Sequence, residues 1–220
     1  MNVYGGKVTI TQSYEGMEAD KITVQNVNAQ IKAKDDGINS GTLLTIEKGS
    51  LYVEADGDGI DSNQDVVMNG GVLVVMGPTD DGNGALDYDG DFQMNGGTLI
   101  AVGSSGMAMA PSDNSTQQSV MINLDQPLNT VLYLEDYDGN CVIGIQPKDS
   151  YSSFVFSSSD LKSGSTYHVM HGGKATSDEL GVVSTVTSGE KLADVTLTSS
   201  VTVYGTSGNR MRGNGIPQRP

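Results

Sequence analysis

The sequence predicts an all-β chain, a parallel β-helix of about five coils over residues 5–124 with a C-terminal β-rich cap. Three observations predict it. A unit of about 22 residues recurs: a turn, an alternating strand, an acidic Gly loop and a second short strand. Apolar residues follow strand spacing and nowhere a helical one. The chain holds 29 glycines and no tryptophan, a composition suited to short strands and tight turns.

The turns are Gly5-Gly6, Asn28, Gly49, Asn69-Gly70-Gly71 and Asn95-Gly96-Gly97. The strands after them are Lys7 to Thr11, Ala29 to Ala33, Ser50 to Glu54, Val72 to Met76 and Thr98 to Val102. Each of the first four leads into a loop whose apolar residue precedes a polar one: Met17-Glu18, Ile38-Asn39, Ile60-Asp61 and Leu86-Asp87. The polar members recur in steps of 21, 22 and 26 residues. Second strands follow at Lys21 to Val24, Leu43 to Ile46, Asp65 to Met68 and Asp91 to Met94. No unit buries its apolar face alone, so neighbours must stack. Met17, Ile38, Ile60 and Leu86 are expected to form one inward ladder. Ile22, Leu44, Val66 or Val67, and Phe92 should form another. The glycines are expected to take positive φ at the corners. Acidic corners at constant phase weigh against the alternative, an antiparallel sandwich.

The period is lost from Asp125. Thr130 to Leu134 and Cys141 to Ile145, joined by Asp136 to Asn140, read as a hairpin. Further strands are expected at Ser153 to Phe156, Thr166 to Met170 and Val201 to Tyr204. A cap of this kind would block the exposed end of the β-helix. The division is therefore 1–124 coils, 125–205 cap and 206–220 a disordered tail.

The net charge is −15. All three arginines lie in the last eleven residues, which hold no acid; the rest of the chain sets nine lysines against 27 acids. Such a surface disfavours nucleic-acid backbones and anionic membranes. Cys141 is the single cysteine, so no internal disulfide forms. No apolar run is long enough to cross a membrane as a helix. No signal peptide is present, and strand pattern begins almost at once, which reads as a piece lacking its upstream part.

Between Lys48 and Lys148 there is no lysine or arginine, yet acids are dense. At the roughly 4.8 Å between neighbouring strands, two carboxylates repel by about 1 kcal/mol in water and about 3.5 at an effective dielectric of 20. With no local protein cation, a hard divalent ion from solution is the natural counter-charge. Stacked loops would place Asp35, Asp36 and Asn39 against Asp56, Asp58 and Asp61, with Asp80, Asp81 and Asp87 one coil further. Those nine residues are the candidate Ca²⁺ ligands; a solvated acidic ridge is the alternative. The chain matches neither the helix-loop-helix calcium loop nor the nine-residue repeat of calcium β-rolls.

Five segments carry a resemblance: Gln12 to Glu18, Asp35 to Asn39, Gly57 to Asn63, Gly82 to Gly90 and Gly103 to Ala108. In this order they resemble a family of secreted bacterial carbohydrate-binding domains first described in cellulosome-forming clostridia. The resemblance extends over most of residues 4–205. It implies a right-handed parallel β-helix, similar in shape to pectate lyases, that binds calcium, pectic acid and cellulose outside the cell. The family's typical N-terminal coils are absent here, so sites that those coils complete would be incomplete.

The function expected is therefore calcium-dependent, non-catalytic binding of plant cell-wall polysaccharide. Calcium shared between protein and sugar carboxylates would invert the local sign and let an acidic protein hold an acidic polymer. Tyr14, Tyr52 and Tyr88 are candidate sugar platforms, and Lys21, Lys32 and Lys34 would add attraction. Buried tyrosines with hydrogen-bonded hydroxyls are the plainer reading. The rivals are a pectate-type lyase and an adhesin with structural calcium alone. Elimination needs a basic residue beside the metal, and Lys34 is the one lysine adjoining an acidic loop. Paired carboxylates for hydrolysis mean little where acids are this abundant. His168 and His171 sit three apart on a strand and so face opposite ways.

Overall fold

The computed structural model describes residues 1–205; the tail expected to be disordered, 206–220, lies outside the described residues. Among the described residues every regular element is a strand. The first twelve are β1 (Asn2–Tyr4), β2 (Lys7–Ser13), β3 (Met17–Gln25), β4 (Val27–Ala33), β5 (Ile38–Ile46), β6 (Gly49–Ala55), β7 (Ile60–Ser62), β8 (Asp65–Met68), β9 (Val72–Met76), β10 (Leu86–Tyr88), β11 (Phe92–Met94) and β12 (Thr98–Gly103). They form two parallel sheets. Sheet 1 runs β1-β3-β5-β7-β10, with β8 on β5 and β11 on β8. Sheet 2 runs β2-β4-β6-β9-β12. The chain alternates between them, making a β-solenoid of about five turns.

Both expected ladders form. Met17 pairs with Ile38, Ile38 with Ile60, and Ile60 with Leu86. Ile22, Leu44, Val66 and Phe92 stack in the same way, each fully buried. Sheet 2 supplies the opposing wall from Ala29, Leu51, Leu73 and Leu99. Polar ladders follow the same register. The Ser40 and Ser62 hydroxyls hydrogen-bond at 2.9 Å inside the stack. At a corner, Asn95 Nδ2 donates to Asn69 Oδ1 at 3.1 Å, and Asn69 Nδ2 donates to Glu47 Oε1 at 3.2 Å.

The corners differ from expectation in two ways. The second coil turns at Asn26, with φ 54°, and pairing starts at the buried Val27, before Asn28; asparagine tolerates that left-handed conformation. Positive φ belongs to the corner that precedes sheet 2, as at Gly71 with φ 84°. The acidic corner needs glycine for space. A Cβ on Gly59 would lie 2.2 Å from Val75 Cγ1 and 2.6 Å from the Ala85 carbonyl oxygen.

The remaining strands are β13 (Ser119–Leu128), β14 (Leu132–Glu135), β15 (Cys141–Ile145), β16 (Tyr151–Ser157), β17 (Thr166–His171), β18 (Lys174–Ser177), β19 (Val183–Thr187), β20 (Glu190–Thr196) and β21 (Val201–Tyr204). β16 pairs antiparallel with β12, then β13 and β21 follow, so sheet 2 continues past the last coil and the β12 edge is covered. Segment 104–118 covers β11, with the Ser112 amide on the Phe92 carbonyl at 2.8 Å. The β14–β15 hairpin forms within the cap sheet β15-β14-β17-β20. That sheet packs on the outer face of sheet 2. Val74, Ile100 and Val102 pack there against Leu132, Leu134, Val169 and Val195 in a second core. β9 and β12 are accordingly apolar on both faces, whereas β2 and β4 alternate because their outer face is bare.

Leu44→Ala is expected to destabilise the chain by about 3 kcal/mol, because it opens a cavity inside a closed ladder. The exposed neighbour substitution Lys21→Ala should shift stability by under about 0.5 kcal/mol. Denaturant midpoints measure both; equal midpoints would contradict the ladder.

Candidate functional site

The acidic corner is where the chain leaves sheet 2 and enters sheet 1. β5, β7 and β10 set Asn39, Asp61 and Asp87 in direct register on the outer face of sheet 1. Asp36 lies close to Asp61 across one coil, and burial is the main cause that raises its own carboxyl. Burial, then Asp36, Asp58, Asp87 and Asp89, push the Asp61 carboxyl up from 3.8 to about 7. Burial and the neighbouring acids Asp36 and Asp35 also raise Glu15, whose Oε2 is buried with no partner.

Several of these carboxylates staple coil to coil. Asp36 Oδ1 accepts the Asp58 amide at 2.8 Å, and Asp58 Oδ1 accepts the Gly84 amide at 2.6 Å. Asp65 Oδ1 accepts the Asp91 amide at 2.9 Å. Charged acceptors of this kind contribute about 1.5–3 kcal/mol each, which offsets much of the repulsion between rungs.

The nine candidate ligands are thus divided. Asp36, Asn39, Asp58, Asp61 and Asp87 come together. Asp35 instead faces Tyr14, whose hydroxyl it holds above its ordinary pKa by hydrogen bonding. Asp56 is exposed. Asp80 and Asp81 sit on the insertion that lengthens the coil to 26 residues. Asp80 accepts the amide of Gly82 at 2.9 Å, and Asp81 that of Gly106 at 3.2 Å. The donors are all oxygen, which suits a hard cation. Among the described residues no three His, Cys, Asp or Glu side chains are arranged to hold a metal ion. The donor chemistry fits calcium.

The four candidate sugar contacts also separate. Tyr14 is 70% exposed beside the corner, and Lys34 is exposed on the same edge. Tyr88 is buried, edge-on to Phe92 at 6.0 Å, and its hydroxyl donates to the Ala110 carbonyl. Tyr52 lies on the outer face of sheet 2, beside Gln30 in register, at the rim of the cap. Lys148 from the cap stands 4.8 Å from the Tyr52 ring centre and binds Glu54 at 2.7 Å; Glu54 also binds Lys32. Burial opposes ionisation of Glu54, but the two ammonium groups outweigh it and hold the carboxyl below its ordinary range. Burial pushes the Tyr52 hydroxyl up, and Lys148 opposes this by hydrogen bonding and by charge, although their contact falls outside good hydrogen-bond geometry.

A groove of three adjoining clefts runs along this rim. The central one, about 280 Å³, is lined by Gln30, Lys32, Tyr52, Glu54, Lys148 and Leu180. One of about 620 Å³ adjoins it at Gln30 and Leu180, and one of about 300 Å³ at Glu54. Sequence reasoning missed Glu15, Asp89 and the Glu54–Lys148 contact. Lys32 and Glu54 stand 22 residues apart, one coil, so the period itself signals that pair. Nothing in the sequence pattern brings Lys148 to coil three. In the cap, His168 pairs with Asp194, while His171 stands 3.9 Å from Glu190; they share no partner.

A family model described as carbohydrate-binding domain-containing protein matches residues 4–177. No curated protein and no solved structure matches the chain.

Asp61 gives the corner a pH dependence. Its folded pKa lies above the ordinary 3.8, so its contribution to stability is complete below that pH and is lost as pH rises through about 7. In chelator, the melting temperature should fall between about pH 5 and pH 8. Asp61→Asn should shrink that fall and, after solvent screening, raise the value at high pH by about 2–4 °C. A flat or rising profile in the wild type would contradict the stacked corner.

Proposed function

Because the chain belongs to the family of carbohydrate-binding domain-containing proteins, we propose that it binds plant cell-wall polysaccharide without cleaving it, outside the cell. The family match over residues 4–177 carries this reading. The solenoid supports it by presenting rigid, aligned surfaces to a linear polymer. Lys34, the candidate base for elimination, stands exposed on an edge.

Pectic acid is the polymer proposed for the acidic corner, with calcium as the link. Asp36, Asp61 and Asp87 would hold the ion, and Asn39 would add an amide oxygen. The ion would supply the positive charge that the chain lacks between Lys48 and Lys148. Cellulose is the second polymer proposed, with no need of the ion.

Retention on immobilised polygalacturonate is the test. The account expects retention in millimolar calcium and its loss in chelator, with no ultraviolet-absorbing unsaturated product. Retention unchanged by chelator would remove the ion from the interface. Unsaturated product would make the chain a lyase.

A further inference from the structure

We infer that the groove at the rim of the cap is a second glycan-binding site, centred on Tyr52, that takes an uncharged pyranose chain and needs no metal. It rests on the carbohydrate-binding reading but not on the acidic corner. The argument begins with the cap. It covers the outer face of sheet 2 over β9 and β12 and leaves that of β2 and β4 bare, so a ledge and a wall meet at β6. The clefts follow β6 from Ser50 to Asp56, a run of about 20 Å at strand spacing. That length suits several linked sugar rings rather than one.

The lining chemistry fits hydroxyl-rich, neutral rings. In the first two clefts Lys7, Lys32 and Lys148 stand against Glu54, Asp178 and Glu179. Their charges balance, in a chain whose net charge is −15. A polyanion gains nothing there, and the third cleft, with Asp56, Asp80 and Asp149, repels it. The same lysines and carboxylates, with Asn28, Gln30 and Ser50, offer donors and acceptors to sugar hydroxyls.

Tyr52 supplies the second, independent observation. It is 8% exposed, lines the central cleft, and keeps a buried hydroxyl with no hydrogen-bond partner of good geometry. Buried hydroxyls are nearly always paired. A sugar hydroxyl in the cleft would complete it. Lys148, over the ring and on Glu54, closes the site from the cap side and would donate to the same sugar.

Calorimetric titration of the full chain in chelator tests this. The probes are neutral gluco-, xylo- and manno-oligosaccharides, with oligogalacturonate as the charged comparison. At least one neutral oligosaccharide should bind the wild type. Gln30→Ala and Tyr52→Phe should each weaken it roughly three- to tenfold, as for one lost hydrogen bond. Tyr52→Ala would open the second core, so Tyr52→Phe takes its place. Tyr137→Ala, on the 92% exposed hairpin tip, should change nothing. Neutral binding that ignores Gln30→Ala and Tyr52→Phe would overturn the groove while leaving the carbohydrate reading intact. Binding of oligogalacturonate alone would overturn it too. Failure of every saccharide, with calcium or without, would overturn the carbohydrate reading and this inference together.

Discussion

A parallel solenoid stacks each residue on its counterpart one coil away, and that register governs the rest of the molecule. For apolar side chains the repetition is favourable, since Ile22, Leu44, Val66 and Phe92 bury one another completely. For serine and asparagine it is favourable again, because each side chain both donates and accepts. For carboxylates it is unfavourable. Asp61 sits over Asp87, and two ionised carboxylates at strand spacing repel by about 3.5 kcal/mol at an effective dielectric of 20. The structure answers with amide donors from the next coil and with an Asp61 carboxyl whose pKa rises to about 7.

The cap sheet imposes the second constraint. It buries the outer face of sheet 2 where the strands are apolar on both sides, and ends where they alternate. Its rim therefore falls over β6, where Tyr52 is half platform and half core. The two surfaces that result are chemically unlike. The corner is rich in carboxylates, whereas the central groove is balanced in charge and lined with hydrogen-bonding groups. We propose the first surface for an acidic polymer and the second for a neutral one.

The coils were legible because their signal is periodic. A step of 21 or 22 residues places Met17, Glu18, Ile38, Asn39, Ile60 and Asp61 without any knowledge of the rest of the chain. The period fails where a coil is lengthened. The insertion before Leu86 carries Asp80 and Asp81 out of the stack, so acids that look equivalent in sequence are not equivalent in space. Turn chemistry was legible to within two residues: the turn expected at Asn28 falls at Asn26, which takes the left-handed conformation expected of glycines. The cap's placement needed a subtler reading. The unbroken apolar runs Val72 to Met76 and Leu99 to Val102 already mark strands covered on both faces. The groove stayed hidden because Lys148 reaches Glu54 across 94 residues of sequence, a contact no local pattern encodes.

The most direct test of the central claim is a calcium titration by calorimetry at neutral pH, on the wild type and on Asp61→Asn. The account predicts saturable binding by the wild type, severe loss in Asp61→Asn, and no loss in Asp160→Asn, which lies in the cap. Equal binding by all three, or none by the wild type, would mean that the stacked carboxylates are reconciled by hydrogen bonds and protons alone.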